Sequence, residues 1–474
     1  MALSRKVDIC VVGAGSGGLT VAAGASQMGA SVVLVEKHKM GGDCLNYGCV
    51  PSKALLAAAH AAETYRQGAV FGLGPNLPEV SFPAVQAHVQ GVIEAIRPQD
   101  SVERFEALGV GVLAGEGRFL DARRLAVGDQ VIEARRFVIA TGSVPFVPPI
   151  PGLDSVPYLT NETIFENSEP PRHLIVMGGG PIGLEMAQAH RRLGAEVSVV
   201  EMAKMLPKDD PELVGVVRQR LAAEGVRILE GAKIVKVAGV ADGVAVEAEA
   251  ADGEIRIEGS HLLVAVGRRA QVAGLDLAAA GIEATPGGIV VDARLRTTNR
   301  RVFAIGDVAG GLQFTHVAGY HAGVVLKNAL FRLPAKADLR AAPWVTYTDP
   351  ELAQVGLAED AARVRAGEIR ILRWPFAEND RAQTERRTDG LVKAVTDRRG
   401  RILGAGIAGP HAGELIQPWI LAIANGMKIG KLATMIAPYP TLGEASKRAA
   451  GSYYTPGLFS ERTRKLVRFL ARFG

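Results

Sequence analysis

Cys44 and Cys49 lie five positions apart in Gly41-Gly42-Asp43-Cys44-Leu45-Asn46-Tyr47-Gly48-Cys49-Val50-Pro51-Ser52-Lys53, just downstream of a glycine-rich turn. Two thiols this close can carry an electron pair as a reversible disulfide. A structural disulfide closing so short a loop would stabilise little. No second Cys/His cluster stands nearby to complete a metal site, so no metal is expected. The residues after Cys49 predict a helix, with Pro51 in its first turn and Lys53-Ala54-Leu55-Leu56 of high helix propensity. The positive end of that helix would favour a thiolate at Cys49, the reactive form. Cys10, in the apolar run from Val7 to Val12, reads as an inert core residue.

The elements that position this pair repeat. A strand from Val7 to Val12, the turn Gly13-Ala14-Gly15-Ser16-Gly17-Gly18 and a helix from Leu19 to Met28 lead into a strand from Ser31 to Val35, then Glu36-Lys37. The pattern restarts with a strand from Leu174 to Met177, the turn Gly178-Gly179-Gly180-Pro181-Ile182-Gly183, a helix from Leu184 to Leu193 and a strand from Val197 to Val200, then Glu201. Each glycine signature lies between strand and helix, with an acidic residue ~20 positions on, as two dinucleotide sites require. Glycine lets the backbone approach a pyrophosphate seated on the helix N-terminus.

Glu36 and Glu201 would accept hydrogen bonds from ribose hydroxyls. An acidic residue at the second site disfavours a 2′-phosphate, so NAD(H) is expected over NADP(H), although Lys204 and Lys208 lie near in sequence. The dithiol sits on the first unit, so its electron donor belongs there and reads as flavin, as FAD. Phe137 to Ser143 is a strand entering a small-residue turn at Thr141-Gly142, suited to close passage of a nucleotide. Ile305-Gly306-Asp307 ends a strand with a carboxylate for a ribityl hydroxyl. A helix beginning near Thr315-His316 would point its positive end at the flavin. Lys37, Gly42 and Gly267 join this cofactor-contact set.

A chain of 474 residues implies two or three domains. Hydrophobic content of 48% against 22% charged residues is that of a globular protein with a large core. Three cysteines fit a reducing cytoplasm, and no signal segment or membrane-spanning apolar run is visible. A net charge of +5 without an interleaved aromatic and basic stripe gives no reason to expect nucleic acid. Pro/Gly-rich stretches fall at Gly72 to Pro83 and at Val144 to Gly152, the second reading as a boundary. From Ala342 the pattern turns to alternating strands and helices, as at Leu391 to Thr396 and Gly413 to Asn425. The expected fold class is α/β: two Rossmann-like nucleotide-binding domains plus a C-terminal α+β dimerisation domain. Residues 1–149 and 270–341 would bind FAD, 150–269 NAD(P), and 342–474 would form the interface domain.

The chain resembles the pyridine nucleotide–disulfide oxidoreductases, which include dihydrolipoamide dehydrogenase, glutathione reductase and mercuric reductase. The resemblance is carried by both glycine fingerprints, the Cys-x4-Cys motif with Val50-Pro51-Ser52-Lys53, and Ala140-Thr141-Gly142. It continues through Gly306-Asp307, the stretch from Pro350 to Leu357 and Pro440-Thr441-Leu442. It implies a homodimer in which nicotinamide passes hydride to one face of FAD and a disulfide is reduced on the other. It further implies that Cys49 stays against the flavin as thiolate, and that Cys44 exchanges with substrate through a mixed disulfide. Lys53 and Glu185 match the family's ion pair. Pro181 stands where some relatives carry a tyrosine gate.

Disulfide-exchanging relatives carry a His-Glu acid–base dyad in the last domain. Here Glu444 remains, but Tyr439 replaces the histidine, and a phenol with a pKa near ~10 shuttles protons poorly at neutral pH. Mercuric reductases resemble this chain in having that tyrosine, yet typically end in a cysteine pair that is missing here. His411 and His316 are candidate substitutes for the base. The expected activity is NAD(P)H-linked electron transfer to a thiol or disulfide substrate. The alternatives are a mercuric-reductase-like enzyme acting on a metal ion or thiol adduct, and a partner-docked electron-transfer subunit. Residues 461–473 read as a basic amphipathic helix, with Leu466, Val467, Phe469, Leu470 and Phe473 opposite Arg464, Lys465, Arg468 and Arg472. Such a helix suits a membrane surface or a protein partner, or packing within the dimer. Cytoplasmic location with peripheral membrane attachment is therefore one expected outcome.

Overall fold

The computed structural model describes residues 3–74 and 78–473. Residues 75–77 of the Gly72–Pro83 stretch lie outside the described residues. The chain forms two compact units: residues 1–179, 189–202 and 232–338 in one, and 180–188, 203–231 and 339–474 in the other.

In the first unit the strand Leu3–Val12 lies between Val32–Glu36 and Gln130–Ile139, all parallel. Val110–Ala114 extends the sheet beyond Val32–Glu36, and Val302–Ala304 pairs with the far end of Gln130–Ile139. Val12, Val35, Ile139 and Ala304 are level in register, so the chain leaves these strands at one carboxyl edge. That edge is where open parallel sheets hold ligands. Toward that edge the strands are apolar, as at Ile9–Val12, Val32–Val35 and Phe137–Ile139, because both faces of the sheet are covered there. Ile9, Val11, Leu34, Val138 and Phe303 pack with residues of the helices Ser16–Gln27 and Thr315–Ala329. A second parallel set places His173–Met177 between Glu196–Glu201 and His261–Val264. Lys233–Val240, Gly243–Ala250 and Gly253–Gly259 form an antiparallel sheet.

The second unit is built on a five-stranded antiparallel sheet in the order Pro343–Thr346, Glu351–Gly356, Ile402–Gly409, Leu391–Asp397, Ile369–Pro375. Trp419 is buried in its core, and its indole N–H donates to Ser446 Oγ at 3.0 Å.

Several expected elements differ in extent: the first strand begins at Leu3, the strand expected from Phe137 runs Gln130–Ile139, and the second glycine turn is helical from Pro181. The first glycine turn is already helical from Ser16, because Gly18 packs so close to Gly13 that a Cβ would stand 1.9 Å from its carbonyl oxygen. Cys44 lies in a short helix of its own, Gly42–Asn46. The terminal helix runs Glu461–Leu470 and stops short of Phe473, because the N–H groups of Arg472 and Phe473 bond three residues back in a tightened last turn. Among the described residues no helix is long and apolar enough to cross a membrane.

Candidate active site

Glycine geometry brings the two halves of the first site together. Gly13, at φ +105°, lies so near the end of Gln130–Ile139 that a Cβ would meet the Ala140 carbonyl at 2.4 Å. Gly42, at φ +58°, lies with its missing Cβ 2.7 Å from Gly15 Cα, and Gly41 N–H donates to Ala14 O at 3.0 Å. The dithiol helices are thereby fastened to the glycine-rich turn. In front of Gly15 and Gly142 the space is nearly or fully clear to 4 Å. A pyrophosphate needs that clearance at a helix N-terminus, so these residues fit FAD.

Glu36 does more than await a ribose. One carboxylate oxygen accepts from Ala14 N–H at 2.7 Å and the other from His38 N–H at 2.8 Å. Glu201 repeats the first contact, accepting from Gly179 N–H at 2.7 Å. Each acidic residue therefore braces its own glycine loop and keeps lone pairs for a sugar hydroxyl. Gly178 packs against the end of His261–Val264, where a Cβ would meet Ala265 O at 2.5 Å. Gly180 and Gly267 front open space, and Gly183 lies in the helix Pro181–Arg192. Lys37 pairs with Glu116 at 3.5 Å, and Thr141 Oγ1 donates to Gln271 O at 2.7 Å.

Both redox candidates are free thiols. Cys49 is the first residue of the helix Cys49–Arg66, as the sequence predicts, and Cys44 contacts it from the shorter helix. The Cys44 hydrogen bond pulls the Cys49 thiol down to about 6 against the desolvation by its surroundings, helped by the Thr315 hydroxyl and the charge of Lys53, although part of the residue is exposed. Cys49 Sγ lies 3.4 Å from Thr315 Oγ1, at the start of Thr315–Ala329. The same Cys49 contact, burial and the charges of Cys49 and Asp43 push Cys44 up. The two shifts run in opposite directions and belong to the pair rather than to either sulfur alone. Lys53 Nζ reaches Ser52 Oγ at 3.3 Å, and the His316 ring stacks on Phe314.

A polar chain that the motifs do not announce locks this arrangement. Arg268 donates to Asp43 Oδ1 at 2.9 Å, to Ser143 O at 2.9 Å and to Ser143 Oγ at 2.7 Å. Ser143 Oγ in turn donates to Asp307 Oδ2 at 2.6 Å. Asn161 Nδ2 bridges Asp43 Oδ1 and the Tyr47 carbonyl at 3.1 and 3.3 Å, spanning the cysteine loop. Burial raises the Asp307 carboxyl, opposed by Ser143 and Arg268. Arg268→Gln is expected to weaken FAD retention by about tenfold or more, since it breaks charge-assisted bonds in a half-buried setting. Flavin fluorescence released on dilution measures this, and retention equal to the parent would refute the role. Only a basic residue after Gly267 and a polar one before Cys44 could have hinted at the link.

In the second unit, Glu185 is buried and accepts from Tyr347 N–H at 2.9 Å. Tyr439 is exposed, and its hydroxyl donates to Asp380 Oδ2 at 2.9 Å. That bond, with the charges of Asp380 and Glu444, raises the phenol further. Glu444 opens the helix Glu444–Ser452. His411, at φ +55°, precedes the short helix Ala412–Leu415. Among the described residues no group of three or more His, Cys, Asp or Glu side chains could hold a metal ion.

A family model described as pyridine nucleotide-disulphide oxidoreductase matches residues 7–322, and one described as its dimerisation domain matches 342–450. Mercuric reductase of Streptomyces lividans is 36% identical over 455 residues, 94% of this chain and 96% of that protein. Dihydrolipoyl dehydrogenase of Halobacterium salinarum is 36% identical over 462 residues, with the same two coverages. Among solved structures, LpdA from Mycobacterium tuberculosis superposes with a TM-score of 0.86 at 28% identity, covering 94% of this chain and all of that one. The HOCl-induced flavoprotein disulfide reductase RclA from Escherichia coli gives 0.83 at 27%, covering 94% and 99%.

Proposed function

Because this chain belongs to the pyridine nucleotide–disulfide oxidoreductase family, and is therefore an FAD enzyme that exchanges electrons between NAD(P)H and a sulfur group, we propose that Cys44 and Cys49 are its redox pair. The supporting observation is their placement: Cys49 opens the helix Cys49–Arg66 with its Sγ 3.4 Å from Thr315 Oγ1, and Cys44 meets it from the short helix Gly42–Asn46. Bound FAD would supply the two-electron link between nicotinamide and this pair. Gly13, Gly15 and Gly18 would seat its pyrophosphate, with Glu36 on the ribose and Asp307 on the ribityl chain. The thiolate of Cys44, once its proton leaves, attacks a substrate disulfide and expels one thiol. Cys49 then attacks the Cys44 sulfur, closing the internal disulfide and releasing the second thiol.

The substrate reading is a thiol or disulfide of the dihydrolipoamide type. Lys53 and Glu185 are proposed as the charge pair near the nicotinamide. NADH is preferred to NADPH, because Glu201 would face a 2′-phosphate with like charge. The domain division proposed is FAD-binding at 1–149 and 270–341, NAD(P)-binding at 150–269 and a dimerising interface at 342–474, with 461–473 as a docking segment. A second reading, favoured by Tyr439, is reduction of a soft metal ion or its thiol adduct, as the names of the mercuric reductase relatives suggest. A partner-docked electron-transfer subunit is the third.

Anaerobic titration with NADH should produce a long-wavelength absorbance band, and its absence would remove the flavin–thiolate pairing. Steady-state assays with lipoamide, glutathione disulfide and Hg(II), each with NADH and NADPH, separate the substrate readings. Tyr439→His should raise disulfide turnover several-fold, since imidazole titrates near neutrality whereas this phenol is held protonated by Asp380. An unchanged rate would show that the missing base is not limiting.

A further inference from the structure

Beyond the active site, the least accounted-for feature is the helix Glu461–Leu470, which follows the matched dimerisation domain ending at residue 450. Ser460 caps it, accepting from Thr463 N–H at 3.2 Å, and Thr463 Oγ1 donates to Gly457 O at 2.8 Å. It is therefore a defined helix with a fixed start. Leu466, Val467, Phe469, Leu470 and Phe473 are each more than half exposed, and the Phe469 and Phe473 rings meet edge to face at 5.1 Å. At ~100° per residue, Leu466, Phe469 and Leu470 fall within about 100° of arc, and Phe473 joins them through its ring contact with Phe469. Arg464, Arg468 and Arg472 follow one another at i+4 on the opposite side, with Lys465 at its edge, while Arg462 lies within the apolar arc one turn before Leu466. From 461 to 473, Arg462, Arg464, Lys465, Arg468 and Arg472 against Glu461 give +5 − 1 = +4.

Resting on the reading of 461–473 as a docking segment, we propose that this helix seats the enzyme on an anionic phospholipid bilayer, lying in the membrane plane. Charge complementarity selects this occupant. A protein groove would need carboxylates placed to meet each cation, whereas a sheet of anionic headgroups meets all of them while the acyl boundary takes the apolar face. Arginine and lysine stems are long enough to reach the headgroups around a helix sunk to its midline. Self-association is the weaker fit. A helix about 15 Å long offers a face of only a few hundred Å², against roughly 800 Å² per partner in a standard interface.

The test uses the full-length, FAD-loaded enzyme and sedimentation with vesicles of phosphatidylcholine alone or mixed with phosphatidylglycerol. Binding is expected only with phosphatidylglycerol, and molar salt should reduce it at least several-fold. Leu466→Glu/Phe469→Glu should lower the bound fraction about tenfold or more, with dimer mass and NADH-driven turnover unchanged. Absence of sedimentation with anionic vesicles overturns the proposal, as does equal binding to phosphatidylcholine. A change of oligomeric mass in the double variant also overturns it, since the face would then be an interface between copies. Turnover in every arm reports separately on the proposed activity.

Discussion

Cys44→Ser is expected to lower NAD(P)H-driven disulfide turnover by about 10³-fold or more, because the sulfur that forms the mixed disulfide is gone. Cys49→Ser should cost as much by a different route, since the mixed disulfide could form but not resolve. The two variants separate by trapping: a disulfide adduct should accumulate on Cys49→Ser and not on Cys44→Ser. Turnover retained by either variant would show that the pair does not carry the electrons. The structure adds a finer expectation. Cys49 is held near 6 chiefly by the hydrogen bond from Cys44. In the reduced enzyme its alkylation rate should therefore rise between about pH 5 and 7 and then level. Cys44→Ala should move that inflection upward. An inflection that stays near 6 would assign the shift to Thr315 and Lys53 instead.

Lys393→Met is expected to destabilise the second unit by about 3–5 kcal/mol, read as a fall in urea midpoint for that transition. Lys393 is buried in the strand Leu391–Asp397, with its ammonium 2.7 Å from Asp210, 2.9 Å from Glu212 and 3.2 Å from Glu359. Methionine fills similar space but strips the counter-charge from buried Asp210. Adding Asp210→Asn should recover part of the loss, because no buried carboxylate is then unpaired. A Lys393→Met protein as stable as the parent would refute the account. The pH dependence follows from Glu212, whose carboxyl is held down to about 2 by Arg373, with Lys393 assisting. A depressed carboxyl stabilises the fold above its ordinary value of 4.5, and that contribution fades as pH falls toward about 2. Glu212 is more than a third exposed, so its own share is modest. The penalty of Lys393→Met should therefore shrink on acidification from pH 5 to 2.

The dithiol, both glycine-rich turns and the helix starts at Cys49 and Thr315 were legible because each is a local pattern. A glycine at a positive φ, a proline in a first helical turn or two thiols five residues apart carry their meaning within a few positions. The extent of elements was less legible, because packing rather than propensity ends them. Gly18 pressed on Gly13 starts the first helix early, and a tightened turn ends the last one before Phe473.

What the chain alone determined was which chemistry is available: a dithiol, two cradles for dinucleotides, and a terminal helix with one oily and one cationic side. Tertiary structure decided how that chemistry is poised. Thr315 reaches Cys49 across 266 residues, Arg268 reaches Asp43 across 225, and Ser143 joins Asp307 across 164. No spacing rule encodes such contacts, because they arise where separate strands end at one sheet edge. Which thiol keeps the proton depends on those neighbours, since a charge is stabilised by what lies within a few ångströms and not by its place in the sequence.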